Sequence, residues 1–194
     1  MFIPKDIDKV NVSNYMRFSE GVNKFRILDE PITGYVYWLD KNGKPVGKKE
    51  RAGEGGKPVR VKSFDELSLD LRGCVKGFAA MVIWNYQVKK IQILEVSQVG
   101  IMNSLDALAN SEDWGDITSF DISINKAKTG PDPMDVEYSV MPSPKKEVSK
   151  EVLEGYNATT VNLETLYEGL DPFDTNIKIK DSELDKITEE LDEK

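Results

Sequence analysis

Apolar and polar residues alternate along several short runs of this chain, and an alternation of period two is typical of β-strands. The longest such run covers residues 77–96, where two apolar stretches are separated by polar residues at 87–90. This pattern predicts a β-hairpin. Because apolar side chains occupy both of its faces, both faces are expected to be at least partly covered. Residues 119–126 and 134–142 alternate in the same way and predict a second hairpin.

Two more strands are predicted nearer the amino terminus, in residues 24–28 and 33–39. Both runs are rich in aromatic and β-branched side chains, and a turn at a proline separates them. Side chains two positions apart in a strand share a face. If the two runs pair as a hairpin, one face of the sheet presents two cations and two aromatic rings together. These four residues are Lys24, Arg26, Tyr35 and Tyr37.

Helical spacing of apolar residues predicts an amphipathic helix over residues 97–110, with Ser97 as its N-cap. The character of residues 63–76 is ambiguous. Ser63 followed three positions later by Glu66 indicates a capping box at the start of this segment. Together with the predicted hairpins, these patterns predict a mainly β protein with minor helix.

Residues 41–62 are strongly basic, with eight basic and two acidic residues, although the net charge of the whole chain is -8. We interpret this glycine-, lysine- and proline-rich segment as a long flexible loop, and loops of such length are usually functional or disordered. Aromatic strands that lead into a basic loop provide the two elements of a groove for single-stranded nucleic acid, namely rings on which bases stack and cations that contact phosphates. The alternative is that the rings only pack in the core and the lysines only keep the loop soluble.

The composition excludes several kinds of site, since the chain contains no histidine and a single cysteine, Cys74. Zinc sites of the usual cysteine and histidine types, disulfide frameworks, and catalytic triads or dyads that use histidine are therefore ruled out. No metal, no cofactor and no catalytic residue is expected. Cys74 is interpreted as a small buried residue.

One group of carboxylates is a candidate magnesium site, because Mg²⁺ is bound by one or two carboxylates together with substrate phosphates, as in a nuclease. The alternative is a tight helix-to-strand turn, for which aspartate and glycine are suited and which Trp114 would anchor by packing. We favour the turn. The candidate residues are Glu112, Asp113, Asp116 and Asp121.

Charge also divides the chain, because residues 1–150 have a net charge of +1 whereas residues 151–194 have a net charge of -9. We therefore predict a domain in residues 1–146, a short helical extension in 147–170 and an acidic, disordered tail in 171–194. No apolar run suits a signal peptide or a membrane span, so a cytoplasmic protein without a membrane partner is expected.

The order of these segments resembles the single-stranded DNA-binding proteins encoded by tailed bacteriophages, which are built on the OB-fold. Each motif is loose on its own, but five occur in the same order and together cover most of residues 15–144. Residues 63–76 have no matching pattern. The matching stretches are YMRFSEGVNKFRI at 15–27, GYVYW at 34–38, the strand at 78–86, KIQILEVSQ at 90–98, and EDWGDITSFDISINK at 112–126 followed by EYSVMPSP.

The resemblance implies a five-stranded OB-fold barrel with an intervening helix at residues 97–110 and an acidic C-terminal tail. It also implies sequence-tolerant binding of single-stranded DNA in phage DNA replication, recombination or repair, without enzymatic activity. The tail would recruit replication, recombination or repair proteins. Its negative charge, opposite to that of the basic loop, also predicts that it competes with DNA for the groove. A homodimer is left open, and a phage-encoded protein would act in the host cell cytoplasm.

The residues expected to contact DNA come from the aromatic strands and the basic segment. Phosphates would be contacted by Lys24, Arg26, Lys48, Lys49, Arg51, Arg60 and Lys62, and bases would stack on Tyr35, Tyr37, Trp38, Trp84 and Tyr86. An alternative function is a protein-interaction adaptor that acts through the acidic tail, with the barrel only as a scaffold. A magnesium-dependent nuclease that uses Glu112, Asp113 and Asp116 is a third.

Overall fold

The strands of the protein form one antiparallel sheet in a computed structural model that describes residues 13–174. Within these residues the fold is mainly β, as expected, with eight strands and three α-helices. The strands are β1 (Gly21–Ile27), β2 (Ile32–Leu39), β3 (Pro45–Val46), β4 (Pro58–Val61), β5 (Lys76–Asn85), β6 (Lys90–Val96), β7 (Asp121–Lys128) and β8 (Val136–Pro142). The helices are α1 (Lys49–Ala52), α2 (Val99–Ala109) and α3 (Lys150–Asn157), and single turns of 3₁₀-helix occupy Phe64–Glu66 and Leu163–Leu166.

β1 and β2 are consecutive parts of one bent strand and do not form the two arms of a hairpin. Both run antiparallel to β5, since Ile27 pairs with Ile83 and Ile32 pairs with Ala80. The chain therefore advances five residues between these pairs while β5 advances three, and a bulge that contains Pro31 takes up the excess. The predicted hairpin is wrong, because alternation identifies a strand but not its partner. The two cations and two tyrosines of the predicted face consequently lie toward opposite ends of the bent strand.

The other two predicted hairpins are confirmed. β5 pairs with β6, and β7 pairs with β8. β1 also pairs with β7, so that the bent strand joins the two hairpins into one sheet. α2 lies between the hairpins in sequence and confirms the predicted amphipathic helix, although its N-cap residue is Gln98 and not Ser97. None of the described helices has the length and apolar character that crossing a bilayer requires.

The basic segment, residues 41–62, contains β3, α1 and β4. The sequence of β4 is Pro-Val-Arg-Val, and its β-branched residues suit pairing with the second half of β2, where Val36 pairs with Arg60 and Tyr37 pairs with Val59. The prediction of a flexible loop is therefore wrong. The basic side chains of this insertion are carried on a backbone with defined hydrogen bonds.

The predicted capping box is confirmed at the start of residues 63–76. The backbone N–H of Asp65 donates to Ser63 Oγ at 3.2 Å, and the backbone N–H of Ser63 donates to Glu66 Oε1 at 2.7 Å. These bonds satisfy N–H groups that the turn itself leaves without partners. The segment continues as one turn of 3₁₀-helix and not as an α-helix.

Apolar side chains fill two cores, one on each face of β5. Odd-numbered β5 residues such as Met81 and Ile83 face an inner core, which α2 closes with Ile101 and Leu105. Even-numbered β5 residues face an outer core. The expectation that both faces of this hairpin are covered is therefore confirmed. The sheet contributes Val36, Phe78, Ala80, Val82, Trp84, Ile91 and Ile93 to the outer core.

The outer core is covered by residues 147–174, which we call the C-terminal strap. α3 contributes Val152, and the 3₁₀ turn after it contributes Leu163 and Leu166, all at most 8% exposed. Burial of an aliphatic side chain of this size contributes about 1.5–3 kcal/mol, so these three residues hold the strap firmly on the sheet. The predicted disordered tail begins at residue 171, but Phe173 packs against the outer core. Residues 175–194 lie outside the described residues.

Residues 13–18 contact both β6 and β8. The backbone N–H of Met16 donates a 2.9 Å hydrogen bond to the carbonyl of Ile93 in β6. The ring of Phe18 packs on Tyr138 of β8 with a centroid distance of 5.7 Å. Among the described strands β6 and β8 do not pair with each other, so this N-terminal segment occupies the place between them.

Candidate nucleic-acid interface

A cleft of about 570 Å³ opens between the insertion formed by β3, α1 and β4 and the loop that joins β7 to β8. Its lining combines an aromatic ring, four cations and an exposed methionine. The lining residues are Trp38, Lys48, Lys49, Glu50, Arg51, Lys76, Ser97 and Met134. We call this feature the cationic cleft.

The floor of the cationic cleft continues the outer face of the sheet beyond the C-terminal strap. Trp38 follows Val36 at a spacing of two in β2, and Lys76 precedes Phe78 at the same spacing in β5, so each shares a face with an outer-core residue. Trp38 pairs with a residue of β3 and a residue of β4. The indole ring is half-buried at the point where the insertion meets the sheet.

One wall of the cationic cleft is α1. This single turn is anchored by Ala52, which is buried. The backbone at Gly56 passes so close to Ala52 that a Cβ at position 56 would lie 2.3 Å from the Cβ of Ala52. Lys48, Lys49 and Arg51 are exposed around this anchor. The packing of one small residue thus orients three cations toward the cleft.

Among the described residues that line the cationic cleft, four are basic and one is acidic. In the part of the chain that the structure describes, the side chains of its three lysines and its arginine form no ion pair. Glu50 is the acidic residue in the lining. An open concavity in which four of the lining residues are cations attracts anions.

The opposite wall carries Met134, whose side chain is 77% exposed. Its backbone N–H donates to Asp132 Oδ1 at 2.9 Å, and the backbone N–H of Asp132 donates to Asp135 Oδ2 at 3.0 Å. These bonds shape the β7–β8 loop. Sequence reasoning identified neither Met134 nor Lys76 as site residues. The sequence did contain a signal for Met134, because it stands in a loop rich in proline and aspartate. An apolar side chain in such a loop is not required for a hydrophobic core and can serve binding instead.

Four of the predicted contacts therefore meet at one place: Trp38, Lys48, Lys49 and Arg51. The other eight lie elsewhere, and most of them have partners within the protein. Tyr35 and Tyr37 point to the face of β2 opposite Trp38. The ring of Tyr35 packs edge-on against Phe64 at 5.3 Å.

Arg26 is buried, and its guanidinium group is fully engaged by the fold. Nη1 pairs with Asp121 Oδ1 at 3.2 Å, Nε donates to the carbonyl of Thr118 at 2.7 Å, and Nη2 donates to the carbonyl of Lys146 at 2.8 Å. Lys24 also reaches Asp121, with Nζ 3.0 Å from Oδ2. The structure therefore gives both predicted phosphate contacts of β1 a partner inside the protein.

Asp121 is itself completely buried and receives a third cation, because Lys146 Nζ lies 2.7 Å from Oδ2. Burial alone would raise the pKa of Asp121, but hydrogen bonds from Lys146, Lys24, Tyr86 and Arg26 outweigh it and hold the pKa below its usual value. Burial, the hydrogen bond to Asp121 and the negative charge of that carboxylate raise the pKa of Tyr86 to about 12. Tyr86 thus donates to the carboxylate at 2.9 Å.

Trp84, Arg60 and Lys62 lie at the C-terminal strap. Trp84 is 5% exposed in the outer core. Arg60 Nη2 pairs with Glu95 Oε2 at 2.8 Å. Lys62 pairs with Glu164 of the strap, and this hydrogen bond raises the pKa of the lysine.

The candidate carboxylate group does not converge on one point. Asp116 Oδ1 accepts hydrogen bonds from the backbone and the hydroxyl group of Thr118, as a turn requires, while Asp121 is surrounded by cations. Trp114 packs edge-on against Phe120 at 5.1 Å, which confirms its predicted anchoring role. Among residues 13–174, no three acidic or cysteine side chains lie close enough together to hold a metal ion.

Comparisons of the chain with protein-family models, with curated proteins and with solved structures found no match.

Proposed function

We propose that the protein binds single-stranded DNA in a sequence-tolerant manner through the cationic cleft. The observation that carries the proposal is the presence of four cations without ion-pair partners among residues 13–174, beside a half-buried indole ring. Phosphates would be contacted by Lys48, Lys49, Arg51 and Lys76, and a base would stack on Trp38. Stacking on an aromatic side chain contributes about 1–3 kcal/mol per base and tolerates any sequence. Met134 would contact the same base from the other wall.

We further propose that the sheet is an OB-fold barrel of five strands. In this interpretation the bent strand formed by β1 and β2 is the first strand, β5 and β6 are the second and third, and β7 and β8 are the fourth and fifth, with α2 between the hairpins. In OB-folds, the loops after the first and the fourth strand contact the nucleic acid. Here these correspond to the insertion and to the β7–β8 loop, and they form the two walls of the cationic cleft.

The role that we propose is that of a non-enzymatic binding protein in phage DNA replication, recombination or repair, acting in the cytoplasm of the host cell. The acidic residues that follow the C-terminal strap would recruit replication or recombination proteins and would compete with DNA for the cationic cleft. The charges support this idea, because residues 175–194 hold seven acidic and four basic residues, a net charge of -3, whereas the basic segment, residues 41–62, carries +6.

The double substitution Lys48→Gln and Lys49→Gln tests the proposal. Fluorescence anisotropy with a labelled twenty-nucleotide oligo-dT, measured at several salt concentrations, should give a log-log slope of about -3 for four phosphate contacts in the unmodified protein. The variant should give about -1.5 and bind about tenfold more weakly at low salt.

A matched control removes two lysines outside the cleft. Lys89 and Lys150 are exposed and pair with glutamates at 3.5 Å, so their replacement by glutamine has little effect on stability. The double variant Lys89→Gln and Lys150→Gln should show a salt dependence of oligo-dT affinity close to that of the unmodified protein. If both double variants lost the same amount of affinity for oligo-dT, a role for the cleft would be contradicted. If the unmodified protein bound no oligonucleotide at any salt concentration, the proposed function would be contradicted.

A further inference from the structure

We infer that the C-terminal strap is a fixed cover over the outer face of β5 and β6, which confines single-stranded DNA to the cationic cleft and limits the contact to about five nucleotides. This inference rests on the proposed function and deepens it. The nucleic acid would thus contact only the part of the sheet that the strap leaves uncovered. The strap lies on the part of the outer face that continues directly from the cleft floor.

The outer face beneath the strap is built as a core. Phe78, Val82 and Trp84 of β5 are at most 5% exposed, and the strap side chains that pack in the same core are aliphatic or aromatic. A face of this composition would be an extended apolar patch if the strap left it. The described side chains that form this core include none of the cations that a phosphate backbone requires. The strap is therefore part of the folded domain and not a lid over a second binding surface.

Polar contacts fasten the strap at its rim. The hydroxyl group of Tyr167 donates to the carbonyl of Thr33 at 2.7 Å, and the hydroxyl group of Tyr156 donates to Asp29 Oδ2 at 3.1 Å. The ring of Tyr167 also packs against Phe78, with a centroid distance of 6.1 Å. These contacts join the strap to β2, to the bulge that precedes β2 and to β5.

The boundary between the strap and the cleft is marked by cations that already have partners. Arg60 pairs with Glu95 and lies 5.9 Å from the centroid of the Phe78 ring, and Lys62 pairs with Glu164. On the strap, residues 147–174 hold seven acidic residues and one basic residue. A strand of DNA that left the cleft in this direction would meet neutralised cations and then an acidic surface.

The number of unpaired cations then sets the length of the contact. Four cations in the cleft can each contact one phosphate, and four phosphates join about five nucleosides, which is near the lower end of the range for OB-folds. Affinity for oligo-dT should therefore rise steeply up to about five nucleotides. For longer oligonucleotides, affinity should rise only in proportion to the number of positions along the strand at which the cleft can bind.

The test combines a length series with a probe of the strap. The full-length protein is labelled with 5-fluorotryptophan, and its three indole resonances are assigned with Trp→Phe variants. Oligo-dT should shift the resonance of Trp38 and leave those of Trp84 and Trp114 unchanged, because the first lies in the cleft, the second under the strap and the third against Phe120. Leu163→Ala with Leu166→Ala, which loosens the strap, should shift the Trp84 resonance without DNA and so validates the probe.

Two results would overturn the inference while the proposed function stands. One is a shift of the Trp84 resonance on DNA binding, which would show that the strap moves. The other is affinity that continues to rise steeply to ten nucleotides or more, which would place phosphate contacts outside the cleft. Failure to bind any oligonucleotide is distinguishable from both, and it would overturn the proposed function together with the inference.

Discussion

Asp121 is the buried anion around which one end of the sheet is arranged. Arg26 is buried with it, Lys24 and Lys146 reach it from the surface, and Tyr86 donates its hydroxyl proton to it. A buried ion pair contributes little compared with apolar residues of the same volume, but the loss of one partner is costly because the other charge stays buried. The carboxylate is therefore expected to be indispensable to the stability of the fold.

Asp121→Asn should lower the free energy of unfolding by about 3–5 kcal/mol, because it leaves the buried guanidinium group of Arg26 without a counter-charge. Urea denaturation monitored by circular dichroism measures the change. The matched control is Asp116→Asn, at an exposed carboxylate that accepts its hydrogen bonds from Thr118, and its free energy of unfolding should fall by about 1 kcal/mol. Equal losses in the two variants would contradict the role assigned to Asp121.

The same carboxylate predicts a dependence of stability on pH. Its pKa in the folded protein lies below the value of an unfolded aspartate, so its contribution is fully present above the unfolded value of about 3.9 and is lost as the pH falls below it toward the folded pKa. The urea midpoint of the unmodified protein should therefore fall between pH 5 and pH 3 by more than that of Asp121→Asn. Parallel curves for the two proteins would show that Asp121 is not responsible.

At the scale of elements, the C-terminal strap depends on a close contact between α3 and the sheet. A Cβ at Gly155 would lie 2.7 Å from Cζ3 of Trp84, whereas a Cβ at Gly100 in α2 would meet no atom within 4 Å. Alanine is favoured over glycine in helices by up to about 1 kcal/mol. Substitution by alanine therefore creates a steric conflict at Gly155 but none at Gly100.

Gly100→Ala should raise the free energy of unfolding by about 0.5–1 kcal/mol, and Gly155→Ala should lower it, since the rigid indole ring cannot yield without moving the strap. Thermal and urea denaturation of both variants give the comparison. Trp84 fluorescence should shift to longer wavelength in the Gly155 variant only. A gain in stability at both positions would mean that the strap is loosely held.

The elements themselves differ in how far the sequence could predict them. The β5–β6 and β7–β8 hairpins and α2 were predictable, because their periodicity is strong and their partners are adjacent in sequence. The pairing of β1 and β2 with β5 was not, since alternation alone does not identify a partner some fifty residues away. In the candidate site, Trp38 was predicted from the aromatic strand, and Lys48, Lys49 and Arg51 were predicted from the basic segment that follows it. The buried ion pair of Arg26 could not be predicted, because its partner Asp121 lies 95 residues further along the chain.

At the scale of the whole molecule, charge is distributed so that an acidic protein can still attract an anion. The net charge is -8, yet the cationic cleft holds four cations without ion-pair partners among the described residues. Residues 175–194 contribute seven acidic and four basic residues. Their removal would reduce the negative charge that opposes the approach of DNA, and screening by salt would diminish the difference.

Deletion of residues 175–194 should tighten binding of oligo-dT a few-fold at low salt, and the gain should disappear above about 0.5 M salt. The point of truncation matters, because the carbonyl of Pro172 accepts the backbone N–H of Asn162 at 2.9 Å and Phe173 packs against the outer core. A deletion that begins at residue 171 should therefore also lower the melting temperature, while the shorter deletion should not. Anisotropy titrations and thermal denaturation of the two truncated proteins separate the two effects. Unchanged affinity after the shorter deletion would contradict competition between the acidic residues and DNA, and unchanged stability after the longer one would contradict the structural role of Phe173.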